Sequence, residues 1–346
     1  MSGFTIIVPV RDEAHCIRAC LDSITNQTYD EPLEVLVVDG LSTDATREIV
    51  KEYSSKFPRI RLLDNPYMIV PTAMNIGVRE AKGDCIIRID GHCFVEKDYI
   101  ERCIEYLDKK QDVDCVGGTL INICTSVIGK AISLAMSSPF GVGDAYFRYS
   151  QQEAYVDTVA FGAYRRRVFD DIGLFDEELV RNQDDEFNYR LRESGGKILL
   201  VPEIKAYYYT RSSFRKLWFQ YYQYGYWKVR VMQKHPKQMR LRQFVPPLFV
   251  AALLASLLAI PCTPISLWTL MIVGGSYAIA NISASIFIGL RKELKSLPLL
   301  PVAFATLHLS YGIGFLAGLV KFANRWRDDT TTSSHFKSPI QRLEQL

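Results

Sequence analysis

The last hundred residues of this 346-residue chain hold three stretches without a single charged side chain, residues 245–260, 265–290 and 297–320. About 20 apolar residues cross a bilayer. The second and third stretches are long enough to span, and the first is marginal. Buried core helices are a poor alternative at such lengths without charge. The chain is therefore constrained to a soluble part followed by a membrane part. Up to about residue 203 charged and apolar residues alternate as in a soluble domain. Between residues 204 and 244 there are ten Lys or Arg and no Asp or Glu, among twelve aromatics. A basic, aromatic helix of this kind reads as lying at a membrane surface. The expected organisation is a catalytic-type domain at 1–203, an interfacial segment at 204–244, transmembrane helices at 245–321 and a polar tail at 322–346.

Orientation follows from flanking charge. Arg291, Lys292 and Lys295 belong in the cytosol, and so do Lys321, Arg325 and Arg327. Three full crossings from a cytosolic catalytic part cannot satisfy both groups. Either the third stretch, with Pro298, Pro301 and His308, is re-entrant, or the first does not cross fully. The first apolar run, residues 4–10, is too short for a secretory signal and is followed by Arg11-Asp12-Glu13, so the soluble part is expected in the cytosol. Eight cysteines without a Cys-x-x-Cys pair fit buried thiols in a reducing compartment better than zinc or disulfides. A net charge of +3 is too small to argue for nucleic acid.

The soluble part alternates strand and helix at βαβ length. Strands are expected at residues 4–8, where Pro9 ends the ladder, and at 33–38, 60–63, 84–90, 115–120, 156–161 and 197–201. Helices are expected at 12–26, from Ser42 or Thr43 to about Tyr53, at 70–81, 97–109 and 128–136, and from about Asn182. Residues 137–149 read as a Gly- and aromatic-rich loop. The fold class is α/β, with a largely parallel sheet flanked by helices.

In such sheets ligands sit beyond the carboxyl ends of the strands. Four acids fall at strand ends or helix starts, namely Glu13, Asp39, Asp90 and Asp184. A lone acid there is usually a cap or turn former, but four on one edge are harder to dismiss. An acid and an imidazole two residues apart, Asp90 and His92, can hold a divalent cation, and the cation a diphosphate.

Together these segments resemble a known family. Val8-Pro9-Val10-Arg11-Asp12-Glu13, Val38-Asp39-Gly40-Leu41-Ser42-Thr43-Asp44, Arg88-Ile89-Asp90-Gly91-His92 and Gln183-Asp184-Asp185-Glu186 with Arg190 resemble family 2 glycosyltransferases of the GT-A fold. The Arg-x-Asp-Gly-His form with C-terminal membrane helices looks like the succinoglycan-biosynthesis branch. The resemblance covers residues 4–235.

It implies transfer of a sugar, with inversion, from a nucleotide-diphosphate sugar. UDP is the expected nucleotide, and the acceptor is a hydroxyl of a lipid-linked saccharide at the cytosolic face of the cell membrane. Pro9, Val10, Arg11 and Glu13 would line the nucleoside pocket, and Asp39 would accept from the base. Asp90 would bind Mg²⁺ or Mn²⁺. His92 would stand at or near the metal, and imidazole suits Mn²⁺ better. Arg88 belongs to the nucleotide-sugar side, with pairing to a nearby acid as its favoured role. Asp184 would be the base, with Asp185 the runner-up; favourable charge in the helix's first turn is the bland role of Asp185, shared with Glu186. Gln183 stands where the family commonly has Glu. Gly162, Arg165 and Trp227 would lie on the acceptor side, an interfacial anchor being an equal reading for Trp227.

A polyprenyl-phosphate sugar synthase is the near alternative, with less need of a base. A non-catalytic membrane sugar-nucleotide binder is the alternative from another class, supported only by Gln183 and His92. The chain has no Gly-x-Gly-x-x-Gly after the first strand, which sets a dinucleotide dehydrogenase aside.

Overall fold

A computed structural model of the chain describes residues 3–29, 33–124, 126–209 and 212–326. The expected polar tail from residue 327 onward lies outside the described residues. In chain order the elements begin β1 (Phe4–Val10), α1 (Ile17–Thr25), β2 (Leu33–Asp39), α2 (Thr46–Lys56), β3 (Ile60–Asp64), α3 (Val70–Glu80), β4 (Cys85–Arg88), β5 (Cys93–Val95), α4 (Tyr99–Lys109) and β6 (Cys115–Ile123). Next come α5 (Val127–Met136), α6 (Pro139–Val142), β7 (Ala154–Tyr155), β8 (Ala160–Arg165), α7 (Arg167–Ile172), α8 (Gln183–Glu193) and β9 (Ile198–Tyr209). Then follow α9 (Phe214–Lys234), α10 (Leu241–Ala259), α11 (Ile265–Lys292) and α12 (Leu300–Lys321). Contacts divide the chain into two units. The first holds the chain to Ile121 and Tyr146–Tyr209, and the second holds Asn122–Ala145 and the helices from α9 onward.

The first unit is an α/β fold on one mixed sheet of order β3-β2-β1-β4-β8-β6-β9-β5, with β7 on β9. From β3 to β4 it is parallel, as the alternation predicts. β8 then joins antiparallel to both β4 and β6, and β5 and β7 run antiparallel to β9. Successive side chains of a strand face opposite ways, so β1 feeds two cores. Ile6 and Val8 pack with α1, α2 and α4. Ile7 packs with Ala73, Met74 and Val78 of α3 and Phe187 of α8.

Several element limits differ from expectation, each for a physical reason. Pro9 does not end β1, since it pairs in register with Val38. The Ile7 carbonyl accepts the Ile89 N–H on the β4 side. Alternation turns Pro9 to that same side, just where β4 has ended at Arg88, so no ladder bond needs its missing donor. Helix α1 starts at Ile17 instead of Asp12, because residues 12–14 are pinned to the loop after β2. Asp12 N–H donates to Ser42 Oγ (2.9 Å), Glu13 N–H to Thr46 Oγ1 (2.8 Å), and Ala14 N–H to Asp44 Oδ2 (3.0 Å). The same loop delays α2 to Thr46, whose N–H and hydroxyl donate to Asp44. The apolar run at 156–161 is buried, but Phe161 takes φ 50°, and the ladder to β4 forms further on, with Ala163 opposite Ile87. β9 runs past Val201 to Tyr209, continuing inward-outward alternation through Ile204, Ala206 and Tyr208.

In the second unit α9 runs parallel to α12 along its length. Both helices give up side-chain volume where they meet. A Cβ at Gly225 would lie 2.1 Å from the Tyr311 carbonyl oxygen, at Gly314 2.1 Å from that of Tyr222, and at Gly318 2.5 Å from that of Tyr226. Leu217, Tyr221, Gly225 and Val229 are buried in this seam, while Arg215, Lys216, Trp218 and Phe219 stay exposed. The basic, aromatic segment is thus a paired helix and not a lone surface one. Among the described residues three helical segments are long and apolar enough to cross a membrane, Leu241–Ala259, Ile265–Lys292 and Leu294–Lys321. The third is 50% buried and the other two 17% each, which makes it the centre of this unit. A polar chain crosses it. His308 meets the Phe140 carbonyl through Nε2 (2.9 Å) and Tyr277 Oη through Nδ1 (3.0 Å), and Asn281 Nδ2 donates to the Pro301 carbonyl (3.0 Å).

Candidate active site

β1, β2 and β4 end side by side, and the loops leaving them carry the expected acids. Gly91 follows β4 because a Cβ there would come within 2.5 Å of Val10 Cγ1. Among the described residues five non-glycines have positive φ. Asp12, Leu41 and Met68 lie in the loops after β1, β2 and β3, Asn182 stands directly before α8, and Phe161 lies in β8. Conformations that cost of order 1–3 kcal/mol each are thus concentrated on the edge that carries the acids.

Asp90 is gripped by one guanidinium. Arg88 Nε donates to Oδ1 (2.8 Å) and Nη2 to Oδ2 (3.2 Å). Burial works against ionisation of Asp90, but Arg88, His92 and Arg181 outweigh it and hold its carboxyl below the usual range. Burial likewise works against the charge of Arg88, and Asp90 and Asp184 together hold its pKa well above the ordinary value. Arg88 is thus bonded to Asp90 and lies within reach of the Asp184 charge. Asp184 opens α8 and accepts the N–H of Asp185 (3.0 Å). Tyr164 also feels the Asp184 charge and donates to Asn188 Oδ1 (2.9 Å). Helix α8 is held in place by Glu186 and Arg190. Arg190 pairs with Glu186 (2.6 Å) and donates to the carbonyls of Ile172 and Leu174.

His92 Nδ1 lies 3.0 Å from Glu13 Oε1, and its ring meets Tyr208 edge-on at 5.3 Å. Glu13 also lies with His15 and Cys16, their ligand atoms within 4.8 Å of one another. A carboxylate at Asp90 with an imidazole beside it is a donor set that fits a divalent cation of the Mn²⁺ or Mg²⁺ type.

Not every expected residue is where the motif reading needs it. Asp39 is fully buried, and it accepts from Ser42 N–H and Oγ and from Arg47 (2.6 Å). It closes a turn onto Ser42 and pairs with Arg47 without capping α2, whose N-cap is Ala45, and it has no exposed oxygen for a base. Val10 is buried, and its carbonyl accepts the Gly40 N–H (2.8 Å), because the β1–β2 ladder continues to the strand end. It can line a wall but not read a nucleoside. Arg11 is exposed and reaches the Met68 carbonyl at 3.5 Å. Arg165 stands opposite Cys85, at the far end of β4 from Asp90. It is buried and donates to the carbonyls of Val113 (2.8 Å) and Leu107, so its work is to tie down the end of α4 and not to meet an acceptor. Gly162 is enclosed, with a Cβ position 2.8 Å from Cys115 Sγ. Trp227 belongs to the second unit, donates to Gln223 Oε1 (3.1 Å) and packs on Phe322. Motif reading missed Arg181, Tyr164 and Tyr208. Only Tyr208 had a usable signal, the alternation beyond Pro202.

Residues 5–173 match the family model described as glycosyl transferase family 2. The chain is 29% identical over 331 residues to the succinoglycan biosynthesis protein ExoA of Rhizobium meliloti, covering 92% of this chain and 96% of that protein. It is also 29% identical over 329 residues to a protein of Methanococcus voltae, covering 93% and 98%. That protein is named dolichyl N-acetyl-alpha-D-glucosaminyl phosphate 3-beta-D-2,3-diacetamido-2,3-dideoxy-beta-D-glucuronosyltransferase. Among solved structures the fold is shared with the mannosyltransferase PcManGT of Pyrobaculum calidifontis, solved with GDP-Man and Mn²⁺. The TM-score is 0.59 at 17% identity, over 90% of this chain and 86% of that one.

Proposed function

This chain is a family 2 glycosyltransferase of the GT-A fold, and from that premise we propose that it transfers a sugar, with inversion, from a nucleotide-diphosphate sugar to a hydroxyl of a lipid-linked saccharide. One observation carries the reading. Asp90, from the loop after β4, is hydrogen-bonded by the Arg88 guanidinium, and Asp184, in the first turn of α8, lies close enough for its charge to act on the same side chain.

Asp184 acts as the base. It takes the acceptor hydroxyl proton as that oxygen bonds to the anomeric carbon. The bond to the nucleotide diphosphate breaks on the opposite face, which inverts the centre. Asp90 and His92 would hold a divalent cation, which when bound would neutralise charge gathering on the diphosphate. Arg181, exposed and close enough to influence Asp90, adds positive charge for the departing diphosphate. With Asp39 committed to Ser42 and Arg47, no residue singles out uracil, so UDP- and GDP-sugars are equal first candidates. The apolar helices of the second unit support association with a membrane, and the proposal puts transfer at its cytosolic face. The dolichyl-linked compound in the name of the Methanococcus voltae relative supports a lipid-linked acceptor.

The test uses the full chain in membranes with labelled UDP- and GDP-sugars and lipid extracts. Label should enter a lipid-soluble saccharide with wild type, and Asp184→Asn should bind donor without transferring it. Turnover retained in that variant removes Asp184 from the role. Label passing to a polyprenyl phosphate, with Asp184→Asn still active, replaces this reading with the synthase one.

A further inference from the structure

Glu13 is expected from its motif to read the nucleoside, yet its carboxylate is turned to a neighbour in the protein. Oε1 lies 3.0 Å from His92 Nδ1. Its backbone is fixed at both ends. The N–H donates to Thr46 Oγ1 (2.8 Å), and the carbonyl accepts the N–H groups of Cys16 and Ile17 (both 2.9 Å) at the start of α1. The imidazole is held on a second side by the Tyr208 ring, 5.3 Å away and inclined at 70°. It follows Asp90 by two residues, across Gly91, which is packed on Val10. With Nδ1 committed to a carboxylate, the ring nitrogen left to act is Nε2, which has no hydrogen-bond partner among the described residues. A histidine that binds metal through one nitrogen commonly donates the other N–H to a carboxylate, which fixes tautomer and ring direction and raises ligand basicity.

We infer that Glu13 is a positioning residue. Through His92 Nδ1 it sets the ring so that Nε2 serves the cation held at Asp90, and so biases the site toward Mn²⁺ over Mg²⁺. Imidazole suits the former better than the latter. The inference rests on the reading of Asp90 as a cation ligand.

The test is Mn²⁺ binding by the full chain in detergent, read by electron paramagnetic resonance with UDP or GDP present, and repeated in competition with Mg²⁺. Glu13→Ala should weaken Mn²⁺ binding about 10- to 100-fold and move Mg²⁺ far less. Glu13→Gln, which keeps an acceptor for Nδ1–H, should recover part of the loss. His92→Asp should shift preference toward Mg²⁺, and in that background Glu13→Ala should add nothing. His15→Ala and Cys16→Ser should leave binding unchanged. Equal weakening by Glu13→Ala with and without His92, or loss of Mn²⁺ on changing His15 or Cys16, overturns the inference in favour of a nucleoside contact or a separate metal cluster. Unchanged Mn²⁺ binding in Glu13→Ala overturns it outright. Wild type that takes up no Mn²⁺ with either nucleotide brings down the cation reading of Asp90 itself.

Discussion

The two units of this enzyme are held together by opposite means. The sheet unit is filled by side-chain volume. Ile6, Ile7, Val8, Leu36 and Val38 occupy both faces, and the rings of Phe169, Phe175 and Phe187 stack beneath α8 at 4.3–6.1 Å. At its active edge Arg88 grips Asp90 and His92 meets Glu13, while Arg165 and the Glu186–Arg190 pair brace the frame elsewhere. The helical unit works by removing volume, so that Gly225, Gly314 and Gly318 let backbones touch. Its polar groups lie inside, in the chain from Phe140 through His308 and Tyr277. At the edge of the first unit a polar side chain serves chemistry, and in the second unit it serves assembly.

That contrast can be broken by substitution. Asp184→Asn should cost about 10²- to 10⁴-fold in turnover while thermal unfolding and donor binding hold, as followed by transfer assay and calorimetry. Gly314→Leu should do the reverse, lowering stability in detergent by about 1–3 kcal/mol or more through overpacking with donor binding by the first unit kept. Loss of nucleotide binding in the glycine variant would show that the units are not independent in this sense. Tyr277→Phe removes one polar link and should cost about 0.6 kcal/mol, the mean for such contacts in a membrane, as read by the unfolding midpoint.

A smaller effect sharpens the comparison at the edge of the sheet. Burial is the largest single influence on the Asp44 carboxyl and raises it, but the Thr46 hydroxyl and the N–H groups of Ala14 and Thr46 together outweigh this and hold it below its ordinary value. Its folded value is therefore lower than its unfolded one. The clasp it makes is fully present above the ordinary carboxylate pKa of about 3.9. It is lost as pH falls through the lower folded value. Amide exchange at Ala14 should rise in that acid window, and Asp44→Asn should abolish the pH dependence.

Much of this was legible from residues alone. Short, largely continuous apolar runs located β1 to β4 within a few residues, and the acids near their ends marked the candidate edge. What could not be read was whose partner each acid is. Asp39 and Asp184 look alike in sequence, since both stand at element ends. Only folding brings Arg47 onto one and Arg88 near the other. Arg165 shows the same limit, because its function depends on which end of β4 the antiparallel β8 reaches. The seam of α9 and α12 was hidden for another reason. Glycines spaced along an apolar helix signal a close neighbour but not which one.

The assignment of Asn122–Ala145 to the helical unit has a consequence for biogenesis. Ile132, Leu134 and Met136 leave the ribosome long before Leu300, Phe304 and Leu307, the residues that cover them. At synthesis rates of about 5–20 residues per second, the wait is on the order of 10–40 s. During that interval a greasy hairpin stands exposed to chaperones or lipid. Shortening the chain after β9 would make that exposure permanent.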